Sequence, residues 1–353
     1  MRIFRPVPVF LLVLGTAEPM TPPQRVPPAR QLFELYLKGD HAAAVAPLGT
    51  ARNVASIARD MVSEGEEWIE EGASPAEIER RRLVAAALAL EFTVLRMEDE
   101  WYILRPLIEW GCVQLVKGPP GDRELAWQRA SLAAIQGARD DAFARRPPVS
   151  AERPDAPFSA DHVAHAALRF PSDPAVLFAQ GFFAEFQVPV EGRMRTIDVD
   201  TADRAAARAI EFYRRAGEDP AFRHESALAI GYIQLRMKRL DAVLPELAVA
   251  AESTDPFVRY LAHLFRGRTL AQLGGVDEAM AAYRAALAVI PNAQSASIAL
   301  AAMLHAADQP DPAIDIMTKS FAARPAEDPW REYGFGQFRH WTRYRDQMRE
   351  AAR

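Results

Sequence analysis

The sequence predicts an all-α protein built as a stack of antiparallel helix pairs. Three observations predict it. Strand signals are scarce: alternation of Val, Ile and Thr is confined to the short stretch RMRTIDVDT at 193–201. The stretch GGVDEAMAAYRAALAVIP at 274–291 is a complete helix signal, with two glycines before it, small residues along one face and a proline after it. Finally, residue types recur at a fixed spacing. Leu270 and Leu304, Ala279 and Ala313, Tyr283 and Met317, and Pro291 and Pro325 are each 34 residues apart. A fixed period of this length marks a repeat of one helical hairpin, whose apolar face is buried only by its neighbours.

The elements follow in order. MRIFRPVPVFLLVLGTA carries two arginines, then an apolar run from Val7 to Leu14, then the small residues Gly15, Thr16 and Ala17. That order predicts a secretory signal over 1–17, and hence an exported, periplasmic protein, with a cytoplasmic one as the alternative. The run is too short to span a bilayer, and no membrane span is expected once the signal is removed. A proline-rich spacer occupies 18–30.

An N-terminal helical region of degenerate pairs covers 31–143. Within it, RQLFELYLKGDHAAAVAPL makes two short helices meeting at Gly39-Asp40, and residues 51–71 form a longer amphipathic helix. ASPAEIERRRLVAAALALEF then opens with Ser74 to cap, Pro75 in the first turn and Glu77 to complete a capping box. Two more helices flank KGPPGD. The stretch 144–157, ARRPPVSAERPDAP, is a linker, and the repeats occupy 158–325 with an insertion at 187–201. Residues 326–353 leave the pattern. Asp328-Pro329 starts a helix, and Trp330, Tyr333, Phe335, Phe338, Trp341 and Tyr344 form an aromatic cluster, expected to cap the open core of the stack.

The spacing has a packing reason. One helix of each pair presents a small residue where the other crosses it: Gly267 and Ala301 on first helices, Ala279 and Ala313 on second helices. A large side chain there would push the helices apart.

Residues 224–325 resemble the tetratricopeptide repeat family. The repeat from Tyr260 matches at Gly267, Ala279, Tyr283, Ala286 and Pro291, and the next at Leu300, Ala301, Ala313, Ser320 and Pro325. The repeat from His224 is looser, with Gly231, Val243, Leu247 and Ala250, and two extra residues follow it. Departures are His263 and Ser297 where the family has an aromatic, and Arg266 where it has a buried leucine. LIEWGC, YLAHLFRGR and DPWREYGFG also resemble a group of exported bacterial tetratricopeptide proteins of unassigned function. The resemblance implies a right-handed α-α superhelix with a C-terminal capping helix. It also implies a non-catalytic scaffold or adaptor acting on protein partners in the cell envelope or periplasm.

Composition narrows the partners. With 42 Lys and Arg against 47 Asp and Glu, the net charge is −5 and there is no basic field for a phosphate backbone, so nucleic acid is not expected. The one cysteine, Cys112, allows no internal disulfide and reads as a small buried hydrophobe in LIEWGCVQLV. Of seven histidines only DHVAH clusters two, giving Asp161, His162 and His165 on one helix face. A metal-dependent enzyme on those three residues is the first alternative, but the spacing is not that of a zinc motif and a solvated helix face is the expectation. A lipid- or glycan-binding solenoid is the second alternative. No phosphate-binding glycine loop or nucleophile elbow is present, no cofactor is expected, and the acidic run Glu64 to Glu71 reads as a solvated face.

The concave face remains. In the resembled family the first helices line it, which here places Tyr232, Arg236, Leu264, Arg268, Gln272 and His305 inward. They are expected to hold a protein or peptide partner, because Tyr and Arg dominate binding energy at interfaces. Leu228 and Tyr232 stand where the family's carboxylate clamp has Lys and Asn, so a C-terminal carboxylate is not the expected ligand.

Overall fold

A computed structural model describes residues 28–50, 52–96, 101–115, 120–137, 162–186, 188, 199–322 and 328–353. Among them all regular structure is helical, and no helix is long and apolar enough to cross a membrane. The expected signal at 1–17, the expected linker at 144–157, Asp161, most of the 187–201 insertion and Pro325 lie outside the described residues.

The N-terminal region holds α1 (Ala29–Leu37), α2 (His41–Val45), α3 (Val54–Glu70), α4 (Pro75–Leu95), α5 (Trp101–Leu115) and α6 (Asp122–Gly137). Helix α4 is its axis. It starts as its sequence dictates, with the Ser74 hydroxyl accepting from the Glu77 amide at 3.4 Å. From Leu83 to Thr93 every side of it is buried, which fits a helix that is apolar all round rather than striped. Its alanines let neighbours approach closely: a side chain on Gly111 of α5 would meet Ala86 and Ala89 at 3.4 Å. Arg80 and Arg81 pair with Glu77, and Arg82 with Glu70.

The repeats follow. Helix α7 (His162–Arg169) packs on α6, then come the pairs α8/α9 (Pro174–Glu185, Val199–Ala216), α10/α11 (Arg223–Arg236, Val243–Ala251), α12/α13 (Pro256–Gln272, Val276–Val289) and α14/α15 (Gln294–Ala306, Pro310–Ala322). Asp-Pro starts recur. Asp173 accepts from the Ala175 and Val176 amides and Asp255 from the Phe257 amide, satisfying donors that a helix start leaves unpaired. Between the helices of a pair the chain turns through the left-handed region at Lys238, Gly274 and Asp308. Glycine suits the middle position, at φ +84°, because it has no Cβ to strain there.

The close-packing logic is visible in three successive pairs. A Cβ at Gly181 would lie 2.9 Å from the Tyr213 ring, one at Gly231 2.7 Å from Leu247, and one at Gly267 2.6 Å from the Tyr283 ring. In the last pair Ala301 is buried in the same cluster that partly buries Met317. Ala279 and Ala286 are fully buried, Ala313 is buried, and Pro291 is exposed. Ala279→Leu should therefore overpack the crossing and destabilise by about 1–3 kcal/mol. Glu71→Leu, at an exposed pair with Arg30, should stay within about 0.5 kcal/mol. Thermal unfolding of both variants checks this, and equal shifts would contradict the register.

The terminal segment covers apolar surface of the stack, with Trp330 and Tyr333 packed against the repeat core. Among the described residues no element covers the outer side of α15, where Ile314 and Phe321 are 63% and 70% exposed. Instead α16 (Pro329–Glu332), a 3-10 stretch (Tyr333–His340) and α17 (Trp341–Ala351) turn back along the inner face. They run from α12 to α6 and α4, and α17 buries Tyr344 and Met348 in the N-terminal core. Arg349 there clasps the buried Glu91 of α4, which also accepts from the Tyr36 hydroxyl.

Candidate partner-binding groove

The first helices α8, α10, α12 and α14 present the inward residues, and the structure divides the six expected ones. Tyr232 is buried. Its ring stacks on Phe265 at 4.7 Å and meets Trp330 and Tyr333 edge-on at 5.3 and 5.0 Å. Leu264 is buried beside it. Arg236 does not point to an open groove. It crosses to the neighbouring repeat, where it pairs with Glu185 at 3.1 Å and donates to the Glu185 and Val188 carbonyls. Arg268, Gln272 and His305 are exposed, as is Ile298 at 54%. The groove thus has a filled half at α8–α12 and an open half at α12–α14.

The filling is the chain's own segment 328–340. Asp328 anchors its start, capping the Trp330 amide at 3.0 Å and accepting from the Ser295 amide at 2.6 Å and the Tyr260 hydroxyl at 3.4 Å. Trp330 and Tyr333, one helical turn apart, insert over Tyr232 and Phe265. The Tyr333 hydroxyl donates to Glu185 at 3.2 Å. Gly336 then passes so close to Gln136 and Phe182 that a side chain there would clash. The void left beneath Tyr333 and Gly336 is about 20 Å³, room for about one water.

Two acids organise the polar contacts, the buried Glu185 and the half-buried Glu225. Burial raises the pKa of Glu185, against the Arg236 charge and the hydroxyls of Tyr213 and Tyr333. The acid stays tolerable there only because donors surround it, with Tyr213 at 2.9 Å. Glu225 of α10 goes the other way: burial alone would raise it, but Arg339 and His340 bring it down to about 2. Arg339 donates to Glu225 at 2.7 Å and reaches Asp255, with its guanidinium 4.5 Å over the Phe257 ring.

The histidine pair is corrected. His162 and His165 are 2% and 4% exposed, not a solvated face, because α7 is sandwiched between α6 and α8. His165 Nδ1 lies 3.2 Å from the Gln128 amide and 3.7 Å from the Cys112 thiol. Burial pushes that thiol up to about 12 and lowers the His165 pKa. Both groups are neutral at pH 7, so this is not the thiolate–imidazolium pair of a nucleophilic site. Among the described residues no three His, Cys, Asp or Glu side chains are arranged to hold a metal ion.

Sequence reasoning missed Glu185, Phe265 and the placement of Trp330 and Tyr333. The legible signal for Glu185 is an acid inside the apolar run LFAQGFFAEF. Its contact with Tyr333 spans 148 positions and has no local signal.

The helix pairs and their 34-residue register define a tetratricopeptide-like, all-α superhelix. No protein-family model matches the sequence, and no curated protein does. Among solved structures, the one titled "MamA MSR-1 C2" is similar at 19% identity, covering 45% of this chain and 86% of that one, with a TM-score of 0.33. "Crystal structure of APC/C hetero-tetramer Cut9-Hcn1" is similar at 12% identity over 89% of this chain, which spans 62% of that one, with a TM-score of 0.39. With both TM-scores below 0.5, the repeat architecture stands on this chain's own helix pairs.

Proposed function

We propose that this chain is a non-catalytic protein-interaction scaffold, exported to the periplasm, that holds a segment of a partner protein along its concave face. One observation carries the reading. The concave face already holds a peptide segment, its own residues 328–340, through aromatic insertion and buried acid–donor contacts. These are the contacts by which helical grooves bind peptides in general. The open half continues the same surface with Arg268, Gln272, His305 and Ile298, polar anchors beside apolar area.

The test uses tagged full-length chain expressed in a bacterial host, with partners taken from the cell envelope. Arg268→Ala with Gln272→Ala should weaken a captured partner's binding at least about tenfold, or 1.4 kcal/mol, with unchanged melting. Arg236 is unsuitable for this purpose, since removing it strands Glu185. Mass spectrometry of the same material should show a chain lacking about its first 17 residues. Parental affinity in the double variant would remove the open half from the site, and an intact N-terminus on exported chain would remove the signal.

A further inference from the structure

The geometry points to segment 328–340 as a displaceable intrachain ligand, holding the seat of a partner segment with the same chemistry. Such a segment carries an acid, two aromatic residues one helical turn apart and, further on, a cation. This rests on the groove reading above and gives its partner a recognisable form.

Each requirement comes from a named contact. The acid meets the Tyr260 hydroxyl and the Ser295 amide, as Asp328 does. The aromatic pair fills the space over Tyr232 and Phe265, as Trp330 and Tyr333 do. The cation meets Glu225 and Asp255 over the Phe257 ring, as Arg339 does. Both acids come from the repeats, not from the segment, so the site keeps its negative charge when the segment leaves and selects a cationic replacement.

Displacement is favoured by how the segment is held between its anchors. The Gln337 backbone N–H donates to Gln136 Oε1 at 2.8 Å, yet its side chain is fully buried and, among the described residues, neither Nε2 nor Oε1 has a hydrogen-bond partner. Arg339 Nε and Gln136 Nε2 beside it are likewise unpaired. Buried polar groups without partners cost free energy that a hydrogen-bonded replacement does not incur. Gly336 sits at φ +51°, ψ −127°, a backbone shape reserved for glycine. The contacts at its two ends are side-chain contacts that a replacement can reproduce, while the unpaired side-chain amide of Gln337 is a cost that a replacement avoids.

The experiment measures binding of a fluorescein-labelled peptide of residues 326–342 to full-length chain by anisotropy. Three chains are compared: the parent, Trp330→Ala with Tyr333→Ala, and Tyr333→Phe. The first variant loosens the aromatic anchor. The second removes only the hydroxyl contact with Glu185 and keeps the fold if the first fails to. Peptide should bind the double variant at least tenfold tighter than the parent, and Tyr333→Phe at least threefold tighter. Adding Glu225→Gln with Asp255→Asn to Tyr333→Phe should weaken binding at least tenfold. Equal binding by all three chains, or none by any, overturns the proposal, as does indifference to Glu225 and Asp255. A shift of the parent to dimers on size exclusion would also overturn it, by showing that the segment exchanges between copies instead. A partner that depends on Arg268 and Gln272 while the peptide fails would leave the groove reading standing and this inference overturned.

Discussion

Arg236→Ala should destabilise the protein by about 3–5 kcal/mol, the cost of leaving a buried charge without its counter-charge. Both side chains of the pair are under a tenth exposed, at 8% and 7%. Without the guanidinium, Glu185 keeps only the hydroxyls of Tyr213 and Tyr333 and its pKa is driven further up. Arg236 also lies 5.3 Å over the Tyr232 ring and donates to backbone carbonyls, so its loss loosens the seat of the terminal segment as well. Arg236→Met with Glu185→Gln should recover most of the loss, because the glutamine oxygen still accepts from the tyrosines and no unpaired charge remains. Chemical denaturation measures both. A cost below about 1 kcal/mol for the single change would place the pair in solvent, against its burial.

Acid should weaken the terminal segment through Glu225. Its pKa falls from the ordinary 4.5 to about 2, since Arg339 and His340 outweigh burial. A carboxylate with a lowered folded pKa stabilises the fold above its unfolded pKa, and that contribution is lost as pH falls through the folded one. The window therefore runs from about 4.5 down to about 2. The size is on the order of 3 kcal/mol at neutral pH. Glu185 acts with the opposite sign: its raised pKa makes a contribution that is complete below 4.5 and is lost as pH rises. The buried His41 and His165 and the half-buried His263, whose pKa values are lowered by desolvation, lose their contribution as pH falls below 6.5. Subtracting the stability curve of Glu225→Gln from that of the parent isolates the one acid. The gap should be largest at pH 7 and close toward pH 2, and a gap independent of pH would show that Glu225 is not ionised against Arg339.

The repeat register was legible because its causes are local. A helix crossing that leaves no room for a Cβ needs glycine or alanine at a fixed place in each pair, and the sequence shows this at Gly267, Ala279, Ala301 and Ala313. Helix starts were legible for the same reason: Ser74 and Asp328 cap donors within three residues of themselves. The burial of His162 and His165 was not legible, because a polar pair on a short helix looks alike whether it faces water or two flanking helices.

Sequence alone determined that the chain is helical and where its pairs fall, whereas the inward placement of the first helices was implied by the family resemblance. The helices and their pairing follow from periodicity, capping and the volume available at a crossing, all encoded within one or two repeats. Tertiary structure alone decided that half of the inward face is already taken. The aromatic tail could have covered either the end of α15 or the inner face, since both offer apolar surface. The inner face also offers Glu225, Asp255 and Glu185 to the cation and hydroxyl that the tail carries. Those acids are drawn from separate helices and meet Tyr333 and Arg339 only after the superhelix has formed, so no stretch of sequence records the encounter.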